Sequence, residues 1–155
     1  MLQPEPQKDW EVRSEVLKFE LLAEVLRRFG EARLRVSGTS MVPFVWPGDI
    51  LVVRRASRRR ILPGEIVLFV RCGRLFAHRV IGKRWKFGQP VLFTQGDALP
   101  AEDPPVSGEE LLGRAVGVVR GTREINLDTC SQLLLGSCSP LLRPRARADV
   151  PCDGC

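Results

Sequence analysis

The sequence predicts a mainly β fold, a coiled antiparallel sheet or barrel preceded by one amphipathic helix. Apolar residues recur at helical spacing only ahead of Gly30. Beyond that glycine, short β-type runs alternate with Gly and Pro, and their regular spacing favours antiparallel pairing over βαβ units.

The helix is read over 12–29. Val12, Val16, Phe19, Leu22, Leu26 and Phe29 fall on one stripe, with Glu15, Lys18, Glu24 and Arg28 off it. Asp9 or Ser14 is positioned to cap its start, Arg27 and Arg28 suit the negative end of its dipole, and Gly30 supplies a left-handed stop. Its apolar stripe either packs on the following domain or lies in a membrane interface. Strands are expected over 32–36, 50–54, 65–71, 74–81, 84–87, 91–95, 111–119 and, more weakly, 124–127. Cys72-Gly73 and Gly88-Gln89 read as hairpin turns, because glycine accepts the positive φ that tight turns need. The chain thus divides into an N-terminal helix (1–30), a β-rich core (31–128) and a Cys/Pro/Arg-rich tail (129–155) expected to be poorly ordered.

Composition bounds the function classes. A chain of 155 residues, 44% hydrophobic and 27% charged, has the make-up of one globular domain and excludes a disordered chain. At that size a core forms without disulfides or metal. Apolar runs such as 66–70 fall far short of the roughly 18 residues that cross a bilayer. Residues 1–8 carry two prolines and Glu5 with no apolar stretch, unlike a secretory signal, so the mature chain is expected to start at Met1. These features predict a cytoplasmic protein, or one peripheral at the inner membrane surface.

Twenty-four basic residues against eighteen acidic give a net charge of +6, which attracts anionic partners. The densest run, Arg54, Arg55, Arg58, Arg59 and Arg60, contains no aromatic residue, as a nucleic-acid stacking platform would. It reads as a solvated loop or a phospholipid contact, and no nucleic-acid partner is expected. Four of the five cysteines (Cys130, Cys138, Cys152 and Cys155) crowd the tail, a pattern unlike a disulfide framework. Cys152 and Cys155 have the spacing of half a zinc site, but Cys130 and Cys138 complete it irregularly, so no metal and no cofactor is predicted.

The chemistry concentrates in Ser37-Gly38-Thr39-Ser40-Met41-Val42-Pro43, followed by Pro47-Gly48-Asp49. Ser40 sits between a glycine-bearing turn and a proline, on bent backbone that displays its hydroxyl. A serine nucleophile needs a base, and the only histidine is His78, placed by strand alternation on the face of Phe76 and Val80. Taken singly, His78 also reads as a structural residue and Ser40 as a turn serine. Asp49 reads as a turn cap.

The segment 37–49 resembles the nucleophile box of type I signal peptidases, in which Ser-Gly-x-Ser-Met-x-Pro precedes a Gly-Asp turn. Further segments keep that family's order. Pro63-Gly64-Glu65-Ile66-Val67 is similar to its Gly-Asp-Ile-Val strand, Ala77-His78-Arg79-Val80-Ile81-Gly82 to its general-base strand, and Thr94-Gln95-Gly96-Asp97, with Asp103 beyond, to its Gly-Asp box. Four boxes in order, spanning about residues 35 to 120, are far more specific than any one.

The resemblance implies a signal-peptidase/LexA-like β fold and a serine endopeptidase. Bacterial members usually carry lysine as base; His78 matches the archaeal and endoplasmic-reticulum form. By position, Ser40 is the acyl-forming nucleophile and His78 the general base. Asp103, with Asp97 as the alternative and Glu102 as a stand-in, holds the imidazole. An imidazole, with an ordinary pKa of about 6.5, serves as a base at neutral pH without deep burial. The backbone N–H of Ser40 is the expected oxyanion donor, since Gly38 offers no side chain for that purpose. Met41 and Gly38 are expected in the substrate cleft, with the core an alternative place for Met41. The implied partner is a peptide or preprotein cleaved after small residues such as alanine at the first and third positions before the bond. Family members that process secretory preproteins carry spanning helices, which points this chain toward leader peptides at or near the inner membrane surface.

Two other readings stay open. A self-cleaving LexA-like regulator would need a helix-turn-helix domain in the first 35 or so residues and a lysine where His78 stands. A non-enzymatic peptide-binding module would bind by β-augmentation and could lose Ser40, His78 or the acids, all of which are present.

Overall fold

The computed structural model describes residues 7–128, and the tail with its cysteines lies outside the described residues. Helix α1 (Gln7–Phe29) is followed by β1 (Glu31–Arg35), β2 (Ile50–Arg54), β3 (Ile66–Arg71), β4 (Arg74–Lys86), β5 (Gln89–Gln95), β6 (Leu111–Arg120) and β7 (Arg123–Asn126). They form one antiparallel sheet in the order β1-β2-β6-β3-β4-β5, with β7 on β6. The sheet does not close, so the expected barrel alternative gives way to an open sheet. Strands β1 and β5 are its ends.

The helix begins at Gln7, so Asp9 and Ser14 lie inside it and neither caps it. Its end matches expectation: Gly30 takes φ +76° and donates its N–H to the Leu26 carbonyl at 3.0 Å. Leu22 and Leu26 are buried against the sheet, whereas Phe29, placed on the apolar stripe by its spacing, is 73% exposed. No described helix is long and apolar enough to cross a membrane.

Two hydrophobic clusters cover the faces of the sheet. Leu22, Leu26, Met41, Leu51, Ile66 and Leu68 belong to the helix side, and Ile61, Val67, Phe69, Val80, Leu92 and Val106 to the other. Strand β3 feeds both by alternation, which is why 66–70 reads as a continuous apolar run.

Strand β4 is a single element of 13 residues where the sequence suggested a break near Gly82. The register shifts between Val80 and Gly82 against β5, so the break is a β-bulge at Ile81 and the ladder resumes beyond it. The β3–β4 turn is Cys72-Gly73, as expected, with φ +48° and +69°. The β4–β5 turn is Phe87-Gly88, one residue earlier than expected, because Lys86 pairs with Gln89.

The β1–β2 connection closes into a loop whose neck is made by backbone bonds from Val36 N–H to the Asp49 carbonyl and from Gly48 N–H to the Val36 carbonyl, both 2.8 Å. Asp49 is buried, accepts the Trp46 N–H at 2.8 Å and receives two Arg120 donors at 2.9 and 2.7 Å. It is a turn cap, as read, and it also ties the loop to β6. Hydrogen bonding from Arg120 holds the Asp49 carboxyl below its ordinary range, against the opposing effect of burial and with help from the Trp46 N–H and the Arg120 charge. A carboxyl depressed in the folded state stabilises at pH values above its unfolded pKa of about 3.9 and loses that contribution as pH falls through the folded value. Asp49→Asn should therefore cost about 2 kcal/mol near neutrality. Denaturant melts across pH would show the gap to wild type closing below about pH 4; a gap that persists in acid would remove the ion pair as its cause.

Candidate active site

Three side chains from three parts of the chain meet beside β4. Ser40 sits in the β1–β2 loop, where Met41 and Val45 are buried in the core and hold the adjoining backbone. Phe44 and Val45 N–H groups both bond to the Met41 carbonyl, and the Val42–Pro43 peptide is cis. His78 comes from β4, opposite Val67, and is 3% exposed. Its ring stands edge-on to Phe69 and Phe76, each with centroids 5.9 Å away. Asp103 comes from the chain between β5 and β6, which returns beside β5 through its own N–H to the Thr94 carbonyl at 2.8 Å.

Ser40 Oγ lies 3.1 Å from His78 Nε2, and His78 Nδ1 lies 2.6 Å from Asp103 Oδ2. Thr94 Oγ1 donates to the same carboxylate oxygen at 2.7 Å. An ionised Asp103 accepting both donors places the imidazole proton on Nδ1 and leaves the Nε2 lone pair facing the serine hydroxyl. The two aromatic walls and β3 keep bulk water from the ring. This arrangement can take a proton from Ser40 Oγ and hold the resulting imidazolium against a carboxylate.

Asp97 takes no part in that chain. It is bound in fork fashion by Arg79, Nε to Oδ1 at 2.8 Å and Nη2 to Oδ2 at 2.7 Å, while Arg79 Nη1 reaches the Gly64 carbonyl. Arg79 follows His78 on β4, so alternation sends it to the opposite face, and Asp97 goes with it. The residues after Asp97 nevertheless touch Ser40: the Ala98 N–H donates to its carbonyl at 2.8 Å. Gly96 permits this approach, because a Cβ there would stand 2.8 Å from the Ser40 carbonyl oxygen. Glu102 is exposed and makes no hydrogen bond to His78, whose ring nitrogens are taken by Asp103 and Ser40.

Ser40 and His78 open onto a cleft of about 930 Å³ between α1, β1 and the start of β4. Gly38 and Met41 both line it, together with Leu21, Val25, Leu34 and Leu75. Both readings of Met41 are therefore realised, since it belongs to the core and also forms part of the cleft wall. The Ser40 N–H bonds to no described residue. A second hollow, of about 610 Å³ beside Arg55 and Arg58, holds none of the three.

Sequence reading missed Thr94, Arg79 and Gly96 as parts of the site. Thr94 and Gly96 stand inside the box that flagged Asp97, so their positions were marked but their partners depend on the β4–β5 register. Neither a protein-family model nor a curated protein matches this chain.

Proposed function

We propose that this chain is a serine endopeptidase of the type I signal-peptidase kind, acting on leader or signal peptides in the cytoplasm or at the inner membrane surface. The observation that carries the reading is the hydrogen-bonded line Ser40–His78–Asp103 opening into an apolar cleft. In this mechanism Ser40 Oγ attacks the scissile carbonyl carbon as His78 Nε2 takes its proton. The Ser40 N–H donates to the developing oxyanion. The tetrahedral intermediate collapses, His78 returns the proton to the leaving amine, and an acyl-serine remains. Water then attacks the ester, giving up its proton to His78, which passes it to Ser40 Oγ as the acid leaves, regenerating the hydroxyl and the neutral imidazole.

The test incubates the purified full-length chain with a peptide pool containing Ala-x-Ala sites, with and without lipid. Mass spectrometry follows both the peptides and the intact protein. Scission after the second alanine is the expected result. Self-scission alone would point instead to the self-cleaving regulator, and an inert protein under all conditions to a peptide-binding module.

A further inference from the structure

The outer half of β4 and the start of β5 form a hairpin that ends in the two-residue turn Phe87-Gly88. Phe87 is 95% exposed and Trp85 is 63% exposed. Phe87 also takes φ +50°, a left-handed conformation in which a bulky side chain is disfavoured and asparagine or glycine is at ease. An aromatic ring at the apex is thus doubly unfavourable for folding in water, once for its exposure and once for its backbone.

Cations surround this apex. Lys86 Nζ lies 5.7 Å from the Phe87 ring centroid, and the Arg59 guanidinium 5.9 Å from that of Trp85. Arg58 Nη1 donates to the Pro90 carbonyl, and Lys83 Nζ to the Arg59 and Ile61 carbonyls, which staples the arginine loop against the hairpin. Between Arg55 and Gln95 the only acid is Glu65, and it is paired with Arg114. Among the described residues, Arg58, Arg59, Arg60, Lys83, Arg84 and Lys86 make no ion pair with a carboxylate. The arginine run looked free of aromatics in the sequence; folding brings Trp85 to it from another strand.

We propose that this hairpin tip seats the protein on an anionic lipid surface, Phe87 entering the acyl boundary, Trp85 lying at headgroup level and the exposed cations Arg59, Arg60, Arg84 and Lys86 meeting lipid phosphates. Charge complementarity selects the occupant, since exposed cations that make no ion pair with a carboxylate match the negative face of a phosphatidylglycerol-containing leaflet. A single-stranded nucleic acid is the poorer match, because such ligands lie along a groove of successive stacking platforms and this is a convex point with one ring at its apex. The proposal extends the membrane-surface part of the functional reading and is independent of Ser40 chemistry.

Flotation of the full-length protein on a density gradient tests it. Vesicles of phosphatidylcholine alone are compared with vesicles of phosphatidylcholine and phosphatidylglycerol in equal parts. Wild type is expected to float with the mixed vesicles and stay behind with the neutral ones. Phe87→Gly should lose at least about tenfold in binding, the loss of one buried aromatic side chain. It should melt no lower than wild type, because glycine suits the turn. Arg59→Gln and Lys86→Gln should each lose about fivefold. Ser40→Ala should float as wild type does, whatever it does to cleavage, so the lipid seat and the peptidase reading fail separately. Unchanged flotation of Phe87→Gly, equal flotation with neutral vesicles, or binding to a single-stranded oligothymidine in place of vesicles would each overturn the proposal.

Discussion

Ser40→Ala is expected to lose peptide-bond cleavage by about a millionfold while keeping its fold. The serine oxygen has one partner, His78 Nε2 at 3.1 Å, and its removal leaves the imidazole with its bond to Asp103 intact. No second hydroxyl or thiol among the described residues bonds to that nitrogen, so nothing substitutes as nucleophile. Stability should change by less than about 1 kcal/mol, because Ser40 is only half-buried and the loop is anchored by Met41, Val45 and Asp49. Two measurements check this together: product formation by mass spectrometry, and the denaturant midpoint. Cleavage at the wild-type rate would end the peptidase reading, whereas a large fall in midpoint would show that Ser40 supports the fold.

Asp103→Ala should lower kcat by about 10⁴-fold with little change in KM, because the carboxylate acts on the imidazole and not on the substrate. Without it the imidazole is free to place its proton on Nε2, where it cannot accept from Ser40. The imidazolium formed in the transition state also loses its 2.6 Å counter-charge. The change removes the acceptor of the buried Thr94 hydroxyl as well, a cost of about 1 to 2 kcal/mol. Asp103→Asn keeps an acceptor for Thr94 but not the charge, so it should recover stability without recovering rate. Asp97→Asn provides the contrast. It breaks the fork to Arg79 on the other face, so its effect should fall on stability more than on kcat. Steady-state kinetics and melts of the three variants decide the assignment; if Asp97→Asn is the more damaging to kcat, the roles of the two acids are reversed.

The choice between these acids marks where the sequence stops being informative. Strand positions follow from alternation and turn residues, and β2 is observed over the same residues as expected, 50–54. That two carboxylates six residues apart reach opposite faces depends on pairing. Val80 opposes Thr94 and Arg79 opposes Gln95, so Arg79 takes the acid just beyond β5, and Asp103 reaches His78 only after the chain folds back onto Thr94. Local sequence does not contain that return. A glycine within a strand similarly reads as an ending, and only the partner strand reveals that β4 passes through a bulge at Ile81. The helix start was obscured because Asp9 and Ser14 are good caps that the chain does not use as such. Met41 shows a different ambiguity, since a residue can be both core and cleft wall when the cleft opens directly from the core.

The unbroken course of β4 makes that strand a ruler. His78 and the turn residue Phe87 are nine positions apart, and β geometry sets the separation of their backbones at no more than about 30 Å. Because both belong to one hydrogen-bonded ribbon, this height cannot adjust as a hinged tether could. With the tip on a lipid surface, the His78 backbone would stand off from the bilayer by up to that distance. A substrate anchored in the same leaflet would then need roughly nine extended residues between its anchor and the bond that is cut.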